Sequence, residues 1–193
     1  MSKVAITGNA SGTGVFTVAS PNSNVDRVLT LPDETGTVDT LQRSGNVIQV
    51  VNFQTGAFAT GTTIIPHDDT IPQITEGNEY MTLAITPTDV NNILIIQVSI
   101  RGSLTSASYV MAALFQDATA GALAASMQDI NGGNYPTSVE FTYTMTAGTI
   151  SATTFKVRAG PDTAATFYLN GAAATRRFGG VSSSSITITE YAT

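Results

Sequence analysis

Cysteine is absent from this sequence, which excludes disulfides, thiolate metal sites and cysteine nucleophiles together. A chain without thiols suits assembly in a reducing cytoplasm followed by exposure outside the cell. Histidine occurs once, at His67, so any serine–histidine–acid scheme has to pass through it, and no serine lies in a G-x-S-x-G turn. Charge is scarce as well, at 11% of residues against roughly a quarter in ordinary soluble domains. The eight Lys and Arg are outnumbered by 14 Asp and Glu, and their one adjacent pair is Arg176-Arg177. Phosphate binding needs clustered cations, so nucleic acid is not expected as a partner. The longest apolar run, Ile93 to Ile96, falls far short of a bilayer span. The opening MSKVAITGNA has one Lys and no apolar stretch, unlike a secretory signal. Neither membrane insertion nor signal-directed export is expected.

What the chain does have is apolar content, at 42%, with a net charge of only −6, and this argues against disorder. Its 193 residues are enough for one core with a small appendage. A low-charge surface rich in Thr, Ser and Asn is typical of proteins that meet other copies of themselves, although it also suits a monomeric sandwich. Composition changes near residue 45. Residues 1–45 are Gly- and Asn-rich and end in Gln42-Arg43-Ser44-Gly45, which reads as a junction. Residues 46–193 carry the strand patterns of a single domain.

Val47 to Phe53 is a strand candidate, and the Thr60 to Ile65 run ends at Pro66, where a central strand could not continue. Glu76-Gly77-Asn78 forms a turn before Tyr80 to Ile85. Ile93 to Ile100 is the strongest apolar strand, and its near-continuous run implies burial on both faces. Ser103 to Ser108 is a small-residue bend, followed by a strand over Tyr109 to Phe115. Thr119 to Met127 is open between short helix and strand. Ser138 to Met145 alternates, with Val139, Phe141, Tyr143 and Met145 on one face, as a half-buried strand does. Phe155 to Ala159 alternates likewise. Phe167 to Leu169 followed by Asn170-Gly171 reads as a hairpin, because both turn residues tolerate positive φ. Ser185 to Tyr191 closes the chain as a Thr/Ile strand. About eight short strands separated by turn signals predict an all-β sandwich or jelly roll.

The chemistry candidates are few. His67-Asp68-Asp69, set between Pro66 and Ile71-Pro72, reads as a polar loop rather than a metal or acid/base site. Gly8, Gly12 and Gly14 form a glycine loop with no Lys-Ser/Thr pair and no βαβ setting, so close approach of chains explains them better than phosphate binding. Neighbouring carboxylates at Asp33-Glu34 and Asp68-Asp69 point to opposite faces of an extended chain and cannot flank one glycosidic bond. A loose calcium site drawing on Asp117, Asp129 or Asp162 stays open. No catalytic residue, cofactor or metal is assigned.

The segment GVFTVASPNSNVDRVLTLPDETGTV, residues 14 to 38, makes two short apolar patches with no body of their own. Val15, Thr17 and Ala19 alternate with Phe16 and Val18, and Val28, Leu29 and Leu31 precede a Pro32-Asp33 turn. Isolated two-stranded pieces are marginal in water, so the same segment from sister chains is expected to cover them. The wording from Leu29 through Asp33 and from Thr35 through Val38 resembles the attachment segment near the N-termini of bacteriophage tail-fibre and head-fibre proteins. The stretches from Phe155 to Gly160, Tyr168 to Gly171, Arg177 to Gly180 and Ser185 to Tyr191 resemble the close of compact trimeric fibre knobs with a jelly-roll topology like that of complement C1q heads.

The resemblance implies a homotrimeric virion protein, assembled in the host cytoplasm and displayed on the particle. It also implies an intertwined segment over residues 1–45 that binds other phage virion proteins. Its attachment residues would be Val15, Phe16, Val18, Val28, Leu29 and Leu31. The jelly-roll knob of residues 46–193 would then contact a host cell-surface glycan or protein. A capsid decoration or head fibre that stabilises the particle is the alternative, and a spike-type polysaccharide-degrading enzyme the more remote one. In a jelly roll with both termini at its base, strand parity sends the Ser103–Ser108, Asp129–Pro136 and Gly171–Ser183 regions to the far end. Tyr135, with Asn131 and Asn134 beside it, could stack on sugars or anchor a protein contact, or pack over its own turn. Arg176, Arg177 and Phe178 could form an exposed anchor or an inter-chain pairing set, and the bidentate chemistry of Arg favours the second.

Overall fold

The structure, a computed structural model, describes residues 43–193 together with Ser11, Thr13, Thr17 and Asn24. The chain divides into two units, Met1–Val38 and Asp39–Thr193, and every strand among the described residues belongs to the second. Val15, Phe16, Val18, Val28, Leu29 and Leu31, the expected attachment residues, lie outside the described residues, as do Gly8, Gly12 and Gly14.

The described chain is all-β. Its strands are β1 (Val47–Thr55), β2 (Ala59–Gly61), β3 (Asn78–Ile85), β4 (Ile93–Leu104), β5 (Ser108–Gln116) and β6 (Ala124–Ile130), then β7 (Thr137–Thr146), β8 (Thr153–Pro161), β9 (Phe167–Leu169), β10 (Gly171–Ala172), β11 (Thr175–Arg176) and β12 (Ser184–Tyr191). A 3₁₀ turn spans Phe178–Gly180. Two antiparallel sheets form the sandwich. In the first, β4 is central: it pairs with β7 on one side and with β12 on the other, and β12 pairs with β1. Past Ser99 the place of β12 beside β4 is taken by β9, because Gly102 faces Thr137 on one flank and Leu169 on the other. The second sheet runs β3-β8-β5-β6.

The sheets close on one core. Leu94, Ile96, Val98 and Ile100 of β4 and Ile186 and Ile188 of β12 meet Val110 and Leu114 of β5 and Phe155 and Val157 of β8. Fully burying a side chain of this kind contributes about 1.5–3 kcal/mol, so the strand face that carries such residues is forced inward.

Three expectations are corrected and one open reading is resolved. Although β4 has the longest apolar run, it is buried on one face only: Ile93 and Ile95 are half-buried, and Gln97 and Arg101 are exposed. The strand buried on both faces is β5. Val110, Ala112 and Leu114 face the main core, while Met111, Ala113 and Phe115 build a second cluster beneath Ile65 and Ile74. Those two residues belong to the long β2–β3 connection, which is laid across the sheet by bonds from Ile65 N–H to Pro161 O (3.0 Å) and Ala122 N–H to Pro72 O (2.9 Å). The Thr60–Ile65 run is therefore mostly a covering loop, with only Thr60 and Gly61 in β2. The ambiguous 119–127 segment ends as β6, an edge strand zipped to β5. Finally, Asn170-Gly171 is not a hairpin turn. The hairpin is β10–β11, turning at Ala173 and Ala174 with φ of 51° and 58°, the paired positive values of a type I′ turn.

Candidate functional site

Strand register fixes which loops share an end. Tyr191 lies opposite Ile93, and Ile93 opposite Thr146, while Gly45 N–H bonds to Ala192 O and Ala192 N–H to Asn46 O, both at 2.9 Å. The chain therefore enters and leaves the sandwich at one end. At the other end, Gly102 lies opposite Thr137, Ser108 opposite Ile130, and Val110 opposite Pro161. The β4–β5 turn, the β6–β7 loop and the long β8–β12 excursion gather there.

Asn134 ties these loops together. At φ 64° it donates its backbone N–H to Leu104 O (2.6 Å) and accepts from Ala173 N–H (3.1 Å) on its side-chain oxygen. Gly133 is needed at its position, because a Cβ there would strike the carbonyl of Thr105. Tyr135 lays its ring back against Gly132 yet keeps 66% of its surface exposed, so it packs on its turn and stays available at once. Asn131, Arg176 and Arg177 are exposed as well. Phe178 stands out at 78% exposure and Val181 at 85%.

Phe178 sits at φ 49°, followed by Gly179 at 63° and Gly180 at 99°. Left-handed backbone costs a non-glycine residue about 1–2 kcal/mol. Here it turns an aromatic ring outward rather than into the core, and strain of this sort concentrates where function needs it.

Between Phe178 and the sheet lies a groove of 140 Å³. Its walls include Arg101, Thr137, Ser138, Arg177, Phe178 and Ser182. Beneath it is a knot of buried hydrogen bonds. Arg101 N–H donates to Ser184 Oγ (2.9 Å), Ser184 O–H to Asn170 Oδ1 (2.9 Å), and Asn170 Nδ2 to Thr55 O (2.8 Å) and Ala57 O (3.0 Å). Asn170, at φ 52° and 1% exposed, also receives Arg177 N–H on its carbonyl (3.4 Å). The residue read as a hairpin turn is thus the floor that positions both arginines. Arg101 was not singled out by sequence reasoning. Its one signal is a cation at an outward position in a strand whose inward face is apolar.

The other chemistry candidates are dispersed. His67 packs its ring against Tyr109, centroids 4.7 Å apart. Asp68 takes the hydroxyl (2.5 Å) and the N–H (2.9 Å) of Thr70, which hold its carboxyl below the usual carboxylate range. Asp117 accepts from the Thr153 hydroxyl and Thr154 N–H at one end of β5, and Asp162 from the Ser108 hydroxyl and Tyr109 N–H at the other. Among the described residues no three of His, Asp and Glu converge on one point.

No family model matches the sequence, and no curated protein is similar to it at a significant level. Among solved structures, a bacterial lipoprotein from Bacteroides thetaiotaomicron aligns with 78% of this chain and 94% of its own, at 11% identity and a TM-score of 0.28. A likeness of that size assigns neither family nor function.

Proposed function

We propose that this chain is a bacteriophage virion protein, a short trimeric fibre held to the particle by its N-terminal segment, whose knob adheres to the host surface. The observation that carries the adhesive role is polarity: the chain enters the sandwich at one end, and the bare rings of Tyr135 and Phe178 stand at the other. A knob presented on a stalk works only if its free loops face away from the stalk. The wording of Leu29 to Val38 supports the attachment role through its resemblance to fibre segments.

The knob is a jelly roll, a reading supported by how the chain alternates between sheets: β3 in the second, β4 in the first, β5 and β6 in the second, β7 in the first, β8 in the second and β12 in the first. Trimerisation is supported by the outward face of the first sheet. Away from the far-end margin where Arg101 lines the groove, that face presents Val50, Ile93, Ile95, Thr142, Thr144 and Thr189, and Glu140 is its charged member. A broad face so poor in charge suits contact with sister copies. Adhesion then proceeds through weak contacts multiplied by threefold presentation, and no reaction is assigned to the protein.

Antibodies against the far-end loops, residues 131–136 and 173–182, test this reading. They are expected to label intact virions and block adsorption to the host. Labelling of capsids without any effect on adsorption would overturn adhesion in favour of a head fibre, and no labelling of particles would overturn the virion assignment itself.

A further inference from the structure

We infer that the far-end groove takes a carboxylate-bearing saccharide, a uronic-acid unit of a surface glycan; this rests on the adhesion reading above and names its ligand class. Two arginines, Arg101 and Arg177, line the groove and no Asp or Glu does, in a chain whose net charge is −6. Neither guanidinium has a carboxylate partner or a side-chain hydrogen bond among the described residues, whereas Arg158 elsewhere pairs with Glu79 at 3.5 Å and with the carbonyls of Glu76 and Gly77. An unspent guanidinium fork matches a carboxylate bidentately.

The remaining walls suit a sugar. The hydroxyls of Thr137, Ser138 and Ser182 are free of protein partners among the described residues and can exchange hydrogen bonds with ring hydroxyls. The exposed face of Phe178 offers an apolar platform for the C–H face of a pyranose. A groove of 140 Å³ is smaller than the roughly 300–1,000 Å³ of pockets that engulf small molecules, so it seats one residue of a longer chain from the side. The floor is already ordered by Asn170 and Ser184, which lowers the entropic cost of binding. Inorganic phosphate, which guanidinium forks also hold, is the competing anion and is set against the uronates in the test below.

The test is calorimetric titration of the full-length protein with oligogalacturonate and oligoglucuronate, and with the same oligosaccharides after carboxyl reduction. The acidic forms are expected to bind at least about tenfold tighter than the reduced forms. Arg101→Gln and Arg177→Gln should each weaken acidic binding about fivefold or more with an unchanged melting temperature, and Phe178→Ala should weaken acidic and reduced forms alike. Equal binding of acidic and reduced forms, no binding of either uronate, indifference to both arginine substitutions, or full displacement by equimolar inorganic phosphate would each overturn the assignment. If these titrations fail while the loop antibodies still block adsorption, adhesion stands and only the saccharide class falls.

Discussion

Tyr80 shows how a single residue can carry a defect within a sound core. Its ring meets Phe167 edge-on, centroids 5.5 Å apart, and its hydroxyl is buried with no hydrogen-bond partner among the described residues. An unsatisfied buried hydroxyl costs about 1–3 kcal/mol, so Tyr80→Phe is expected to melt at the same or a higher temperature than the parent protein. Burial also pushes the phenol up from its ordinary 10.0 to about 12. Because the folded value lies above the unfolded one, ionisation favours the unfolded chain, and stability present below pH 10 is lost as pH rises towards 12. Denaturation midpoints at pH 8 and pH 11 should fall further for the parent than for Tyr80→Phe, and equal falls would contradict the assignment. Little at this scale was legible in advance. The turn signal at Glu76-Gly77-Asn78 placed Tyr80 at the start of an element, but an orphaned hydroxyl depends on which atoms face it across the sandwich. The outward turn of Phe178 was hidden for a related reason: Gly179-Gly180 signals a bend, while nothing in Arg177-Phe178 announces a left-handed aromatic.

Among the elements, the base of the sandwich is held by Glu190 of β12, which is 0% exposed. Its carboxylate accepts from Asn92 Nδ2 (2.6 Å), from the N–H and hydroxyl of Thr88 (both 2.8 Å) and from Gln49 Nε2. It thereby joins β12 to β1 and to the β3–β4 connection. Burial alone would raise this carboxyl, yet the hydrogen bonds from Asn92, Gln49 and Thr88 outweigh it and hold the group below its ordinary 4.5. A depressed value contributes stability above pH 4.5 that is lost as pH falls below it. Glu190→Gln should cost about 1–3 kcal/mol at neutral pH, and the gap between variant and parent should narrow on acidification. Urea denaturation at pH 7 and pH 3.5 checks this, and a gap that widens would contradict it. Element identity was well signalled by alternation in β7, β8 and β12, where one face is apolar and the other wet. Burial on two faces was assigned to the wrong strand because it depends on a cover. β5 has one in the loop carrying Ile65 and Ile74, β4 has none among the described residues, and neither fact can be read from the strand itself.

For the molecule as a whole, the sandwich class followed from turn spacing and strand composition, and strand parity placed the three loop regions at one end. The groove was not foreseeable, since its walls come from β4, β7 and the 177–182 segment and are brought together by buried Asn170. What binds the fibre reading together is association: the apolar patches in the sequence of residues 14 to 38 and the charge-poor outer face of the first sheet both call for sister copies. A version beginning at Ser44 separates the two, since a trimer there would locate the specifying contacts in the knob. The most direct test of the whole account is the native mass of the full-length protein by sedimentation equilibrium at micromolar concentration. Three times the 20.0 kDa of one chain is predicted, and a stable single-chain mass would contradict the account.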